Sequence, residues 1–431
     1  MGMRASEQRA SSTIGPDRSE SGPYRAIRQE PPPTASKHAP NGNYHSQAGV
    51  PPVCVLGVPF THVTLGEAVE RIEEMVLSRR PHYVVTPNVD FLVQAMKDVE
   101  LHRILLEAPL VLCDGTPVTW ASRLLGNPLP ERVPGADLAP RLIRLAAEKG
   151  YRLYFLGGAP AVTALAVRRL REEHPGLNIA GHDSPPFRPL LEMDHEAIAR
   201  RIRAARPDVL FVSFGCPKAE KWMAMHYRSL GVPVMIGVGA TIDFLAKRVR
   251  RAPRWMQRSG TEWVFRLLQE PHRLFERYAT DFWFFAGGMA AQWWRLQVRW
   301  RPRGEGRNAS LVAVNRVWQR VRLAGGLDAA SVRRDAALWE SIANSRRDCL
   351  LEAAEVDFID STGVGALVWL QQRLRAAGHH LVLLAHSLPV QRALALMRLE
   401  AVFQRASDGL EARREAPRPA RLDPARLGDA A

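Results

Sequence analysis

Between Val53 and Val238 short apolar runs alternate with longer amphipathic stretches, and no other feature of the sequence restricts the fold as much. The runs Val53–Leu56, Tyr83–Thr86, Leu110–Cys113, Arg152–Leu156, Val209–Phe214 and Val234–Val238 have the length of strands. The stretches between them, Ala139–Ala147 and Ala161–Glu173 among them, carry apolar residues at helical spacing. Strand followed by helix, several times over, is the pattern of an α/β fold with a parallel sheet, since a parallel neighbour is reached through a crossover. With 431 residues the chain has room for two or three domains and at least one sizeable core. Residues 1–52 are rich in Ser, Pro, Arg, His and Gly and lack the apolar segment of a secretory signal, so they read as a disordered tail; residues 413–431 are read the same way. Cys54, Cys113, Cys216 and Cys349 are scattered, with no CxxC pair, which argues against a disulfide framework or a zinc site and fits a reducing cytoplasm.

The net charge of +15 is concentrated in one region. From Lys247 to Leu323 there are 17 Lys and Arg against five acids, an excess of 12, and seven of the 11 tryptophans fall in the same stretch. From Arg251 to about Tyr278 the pattern is helical, with apolar residues at Trp263, Leu267, Leu268 and Leu274 and a break at Pro271. Arginine interleaved with tryptophan suits a surface that meets anionic headgroups. A solvated basic face and a nucleic-acid surface are the rival readings; the tryptophans favour the membrane over both, and no nucleic-acid partner is expected. No run approaches the ~18 apolar residues of a membrane span. Phe282–Ala291 is about half that length. The run RPRGEGRN, 301–308, reads as a linker.

A second, smaller α/β domain begins near Ser310. Leu350–Ala353 and Phe358–Ile359 bracket a strand that ends in IDSTGVGAL, followed by an amphipathic helix VWLQQRLRAAG and a strand LVLLA.

Open parallel sheets bind ligands beyond the carboxyl ends of their strands. Three segments converge there: VVTPNVD from Val84 to Asp90, LCDGTPVTW from Leu112 to Trp120, and FGCPKAEKW from Phe214 to Trp222. Thr86 and Asn88 are placed either to cap the helix that begins near Val89 or to line the cleft. Asp114, at a strand end with Gly115 next, is either a turn former or a base aimed into the cleft. Gly157 and Gly158 would let a diphosphate approach a helix N-terminus, although two glycines in a strand-to-helix loop are common.

In order, the segments TPNVDFLVQAMKD, LVLCDGTPVTWASRLLGNPLPERVPGADL, FLGG, FGCPKAEKW, GVGATIDFLAKRVRRAPRWMQ and EWVFRLLQEPHRLFERY resemble the WecG/TagA/CpsF family of bacterial glycosyltransferases over about half of the chain. The resemblance implies a Rossmann-like parallel-sheet glycosyltransferase core over 53–250 with a helical, basic appendage over 251–307. It implies transfer of N-acetylmannosamine or its uronic acid from a UDP-sugar donor to a lipid-linked acceptor, polyprenyl-diphosphate N-acetylglucosamine, with inversion at the anomeric carbon. Carried over residue by residue, it implies that Asp114 is the general base, that Thr86 and Asn88 lie beside it, and that Arg132 is a cation near the donor diphosphate. Gly157, Gly158, Lys218, Glu220 and Asp243 become substrate-binding candidates. Arg266 and Arg273 match arginines of an appendage that closes over the site at the membrane. Inverting transfer needs a carboxylate to deprotonate the acceptor hydroxyl and positive charge for the departing diphosphate. No DxD dyad is convincingly placed for Mg²⁺, so arginines and helix N-termini are expected to serve, with no metal and no cofactor. The chain departs from the family at Ala219, in PKAE where the family reads PKQE, and at Ala240 and Thr241, in GVGATIDF where it reads GVGGAFDF.

VDFIDSTGVGALVWL, Val356 to Leu370, with LAGGLDAA upstream and LVLLAHSLPVQRALALMRLEAVF downstream, resembles a STAS domain over 308–412. The resemblance implies that Ser361 opens a helix and is a phosphoacceptor candidate for a partner kinase; a plain N-cap serine is the other reading. Together the two resemblances imply an exopolysaccharide, capsule or cell-surface glycan transferase in the cytoplasm, peripheral to the inner face of the membrane, with a STAS module attached. The alternative is an impaired transferase-like domain that senses a UDP-sugar or lipid and signals through the STAS module, which Ala219 would favour and intact Asp114 and Arg132 oppose.

Overall fold

The structure, a computed structural model, describes residues 51–249, 251–298, 309–400 and 402–405. The expected tails, apart from Pro51 and Pro52, and the linker run 301–308 lie outside the described residues.

The first apolar run does not join the main sheet. β1 (Val53–Val55) and β2 (Val58–Phe60) pair antiparallel as a separate ribbon. The turn between them passes through the left-handed region at Leu56 and Gly57 (φ 49° and 86°), which reverses the chain at once instead of sending it into a crossover. The main sheet consists of β3 (His82–Val85), β4 (Leu110–Val111), β5 (Leu153–Gly157), β6 (Ile179–Asp183), β7 (Val209–Ser213) and β8 (Val234–Gly237). Its order is β4-β3-β8-β7-β5-β6 and every pairing is parallel. β6 was not foreseen: it is an edge strand of mixed sequence, IAGHD, and its side chains are only partly buried.

Both faces of this sheet are covered, so its strands are apolar at nearly every position. Tyr83, Val85, Tyr154, Leu156, Leu210 and Val212 point into one core, while Val84, Leu153, Phe155, Val209 and Phe211 point into the other. The helices of this domain are α1 (Leu65–Ser78), α2 (Val89–Ala95), α3 (Val99–Glu107), α4 (Thr116–Leu124), α5 (Gly135–Lys149), α6 (Pro160–Glu173), α7 (His195–Ala205), α8 (Lys218–Leu230) and α9 (Thr241–Leu245). Their ends follow local chemistry: Thr64 and Glu67 form a capping box at α1, and α5 and α8 stop at Gly150 and Gly231, both left-handed.

The basic region forms α10 (Arg254–Ser259), α11 (Glu262–Gln269) and α12 (Pro271–Trp293), and α12 runs on into a π-helical turn, Trp294–Val298. The break at Pro271 is where the sequence predicts it, since proline opens a helix without losing a hydrogen bond. The helix then continues well past Tyr278 and absorbs the run Phe282–Ala291. No described helix is long and apolar enough to cross a membrane.

The second domain contains β9 (Ala309–Val314), β10 (Trp318–Leu327), α13 (Ala329–Arg334), α14 (Ala336–Asn344), β11 (Asp348–Ile359), α15 (Ser361–Ala376), β12 (Leu381–His386), α16 (Leu388–Leu396) and β13 (Gln404–Arg405). The sheet order is β13-β12-β11-β10-β9, parallel except for β9 against β10. The two bracketing runs are parts of one strand, β11, and the helix after it starts at Ser361, earlier than the run VWLQQRLRAAG. Its cap is Asp360, whose carboxylate accepts from the amides of Thr362 (2.7 Å) and Gly363 (2.9 Å). Ser361 is therefore the first helical residue and not the capping one. Cys54, Leu106 and Leu296 pack into this domain's core, so its apolar interior is continuous with the hairpin, α3 and the end of α12.

Candidate active site

The carboxyl ends of β3 and β4 bring the first two expected segments together. The Asp114 amide donates to the carbonyl of Pro87 (3.0 Å), and Gly115 lies against the Cα and Cβ of Asn88. Asn88 is the N-cap of α2, its side chain accepting from the Phe91 amide (3.3 Å). Thr86 does not cap; it is buried, and its hydroxyl donates to the Gly237 carbonyl at the end of β8 (3.3 Å). Asp114 keeps part of its surface open to the cleft, yet protein encloses its carboxylate on most sides. Burial pushes its pKa up to about 7. Arg266 and Arg132 pull it down, and Glu262 and Asp137 push it up, but loss of hydration outweighs them.

Arg132, Glu262 and Asp137 are joined through Arg251 in an ion-pair network that ties core to appendage. Glu262, in the first turn of α11, accepts from Arg132 Nη1 (3.0 Å) and lies 3.4 Å from Arg251 Nε, and Arg251 also pairs with Asp137. The Arg266 guanidinium sits 5.2 Å above the Phe244 ring of α9. Arg132 is thus already engaged by a carboxylate. Sequence reasoning missed Glu262, Arg251 and Asp137; the signal was present, since all three lie inside the segments EWVFRLLQ, RRAPRWMQ and ERVPGADL, but their pairing joins positions far apart in the chain.

The other expected residues are distributed around the same sheet end. Gly157 and Gly158 have positive φ (102° and 73°). A Cβ on Gly157 would collide with the Ser213 carbonyl, and one on Gly158 would meet the Thr163 hydroxyl. The Gly157 carbonyl accepts from Thr163 of α6 (2.8 Å) and from Ser184 just after β6 (3.2 Å), and the Gly158 amide donates to the Ser213 carbonyl of β7 (3.2 Å), so these backbone groups are engaged within the fold. Lys218 donates to the Arg188 carbonyl (2.6 Å) and lies 5.2 Å from the rings of Phe187 and Phe214. Glu220 is buried, burial pushes its pKa up to about 7, and its Oε2 has no hydrogen-bond partner among the described residues. Asp243 is half-buried on α9. Arg273 lies near the start of α12, and its side chain is outside the described set. Ala219 packs into the core, the Thr241 hydroxyl donates to the Val238 carbonyl (2.5 Å), and Ala240 is exposed. Ser361 lies in the other domain; it is fully buried and its Oγ accepts from Gln292 Nε2 (2.9 Å). Among the described residues no group of three or more His, Cys, Asp and Glu side chains is arranged to hold a metal ion.

The appendage presents apolar surface to solvent. Trp255, Trp263, Leu268, Phe275, Phe282, Trp283 and Trp294 are all exposed.

Residues 53–299 match the sequence profile described as the glycosyl transferase WecG/TagA/CpsF family, and residues 313–412 match that of the STAS domain. Proteins from Staphylococcus aureus strains MW2, NCTC 8325 / PS 47 and COL are 28% identical to this chain over 224 residues, 52% of this chain and 86% of theirs. All three carry the name N-acetylglucosaminyldiphosphoundecaprenol N-acetyl-beta-D-mannosaminyltransferase.

Proposed function

This chain belongs to the WecG/TagA/CpsF glycosyl transferase family, and from that premise we propose that it moves an N-acetylmannosamine-type sugar from UDP to a polyprenyl-diphosphate-linked N-acetylglucosamine. The observation that carries the reading is Asp114: a carboxylate at the mouth of a parallel sheet, raised by burial to about pKa 7 and in the field of Arg266 and Arg132. A base with that pKa near neutral pH can take a proton from a sugar hydroxyl as it attacks. The acceptor oxygen bonds to the anomeric carbon, the bond from that carbon to the UDP oxygen breaks on the opposite face, and the electron pair leaves with UDP. Arg266, and Arg132 once released from Glu262, would neutralise the diphosphate in a dry site where such charges act strongly. Thr86 and Asn88 hold the strand ends that shape the cleft; Lys218, Glu220, Asp243 and Arg273 are the donor-site candidates, and the reaction as written needs no metal or cofactor.

A lipid-linked acceptor lies at a membrane, and the exposed aromatic residues and arginines of α10–α12 suit an anionic headgroup layer. We place the protein at the inner face of the cell membrane on that ground.

The deciding measurement is UDP release from UDP-N-acetylmannosamine, its uronic acid and UDP-glucose, each offered with a polyprenyl-diphosphate N-acetylglucosamine analogue. A disaccharide product from one of the first two donors, β-linked, is the expected result. UDP release that ignores the acceptor, or none with any donor, would overturn the reading.

A further inference from the structure

Three parts of the chain meet at the end of α12. Gln292 is buried, and its side-chain nitrogen donates to the carbonyl of Cys54 (2.7 Å) and to Oγ of Ser361 (2.9 Å), while its oxygen accepts from the Leu56 amide (2.8 Å). One amide thus ties α12 to the hairpin and to the first residue of α15. One turn further on, Leu296 enters the core of the C-terminal domain. The approach is close by construction: a Cβ on Gly365 of α15 would collide with the Pro52 carbonyl. Around this centre Arg375 pairs with Glu107 (2.9 Å), Gln372 donates to the Leu106 carbonyl, and Arg398 to that of Met96.

We propose that the STAS module is an intramolecular clamp on α12, with Gln292 as its positioning residue and Ser361 as the point where it opens, and that through α12 the clamp keeps α11 and its Arg266 in place beside the Asp114 cleft. The last clause rests on the reading of Asp114 given above. α11 buries no residue of its own, so its place depends on α10 and α12, on the ion pairs of Glu262 and on the stacking of Arg266 over Phe244. Trp263 of α11 meets Tyr278 of α12 edge-on, with ring centres 6.3 Å apart, and the Tyr278 hydroxyl lies in the field of Arg266. From Tyr278 to Gln292 the helix is a rod of roughly 20 Å. A shift of the clamped end therefore reaches the arginine that most favours the ionised form of Asp114.

The clamp and a charge at Ser361 exclude each other. The hydroxyl is fully buried, with the Asp360 carboxylate next in sequence and the Cys54 carbonyl on the same Gln292 nitrogen. An anionic group there would be desolvated against like charge, which the docked arrangement cannot offset. By linkage, whatever favours the undocked state exposes Ser361, and a charge on Ser361 favours the undocked state to the same extent.

The test uses the full chain as wild type, Gln292→Leu, Ser361→Asp and, as an uncharged control, Ser361→Ala. Amide hydrogen exchange is expected to quicken about tenfold or more across α11 and α12 in Gln292→Leu and Ser361→Asp, while β3, β5 and β7 exchange as before and Ser361→Ala stays close to wild type. The titration of Asp114 is read separately, as the pH at which the melting temperature departs from that of the matching Asp114→Asn protein. That midpoint should move in the two opened variants, because Asp114 loses Arg266 and Glu262 together and regains water. Unchanged exchange in both variants overturns the clamp. Faster exchange with an unmoved midpoint overturns its hold on Arg266. Neither readout requires turnover, so a wild type that transfers no sugar would count against the transferase reading alone.

Discussion

Asp114 combines two properties that oppose each other in water: it is acidic by nature and placed where charge is disfavoured. Its pKa of about 7 predicts that sugar transfer rises with pH through neutrality as the base form appears. Asp114→Asn keeps the shape but cannot accept a proton, and transfer should fall by ~10²–10⁴-fold with UDP affinity near normal. The same shift bears on stability. The folded pKa lies above the unfolded value, so the contribution is fully present below the unfolded pKa near 4 and is lost as pH rises through about 7. Asp114→Asn should therefore gain in melting temperature relative to wild type as pH rises over that window. A variant that melts lower than wild type at pH 8, with activity falling only in step with the folded fraction, would make Asp114 a structural residue. The neighbours give a second, signed test: Arg266→Gln should move the pH midpoint of transfer up, and Glu262→Gln should move it down. A carboxylate followed by glycine at the end of an apolar run marked Asp114 as either a turn former or a base, and it was the family resemblance that implied the base. The ion-pair network was not legible in the sequence, since Arg132 and Glu262 are 130 positions apart.

At the scale of elements, the strand-to-helix loops and the appendage carry the site in different ways. Gly157 is fixed by the approach of β7, and Gly157→Ala should cost about 1–3 kcal/mol, through the left-handed backbone and the collision with the Ser213 carbonyl. A denaturant melt of the variant checks this; no loss would mean that β5 and β7 can separate at that point. The appendage owes its helices to the break at Pro271 and its surface to residues that the core does not need. Replacing exposed Phe282 and Trp283 by Ser should weaken sedimentation with anionic vesicles, and wild-type binding should weaken as salt rises. Binding that is indifferent to both changes would remove the membrane from the account. The helical pattern of α10 to α12 was readable from apolar spacing, but the length of α12 was not. Its middle, Phe282–Ala291, is apolar on several faces and has no clear period, and only packing against α2 and the hairpin shows it to be helical and only partly buried.

For the whole molecule, the continuous core across the two domains predicts coupled unfolding. A chain ending after residue 308 would leave Cys54, Leu106 and Leu296 without their apolar cover, and its melting temperature should fall below that of the full chain. Equal melting temperatures would show that the contact adds nothing to stability. The sequence by itself determined the two α/β domains, the parallel main sheet, the basic helical appendage and the position of Asp114, because each depends on periodicity or on residues adjacent in the chain. Only the tertiary structure decided that the first apolar run is a ribbon, that Glu262 already holds Arg132, that Ser361 is covered by its own chain, and that Gln292 joins three segments. Those outcomes depend on close approach and on the satisfaction of buried polar groups between distant segments. A local pattern carries no record of either.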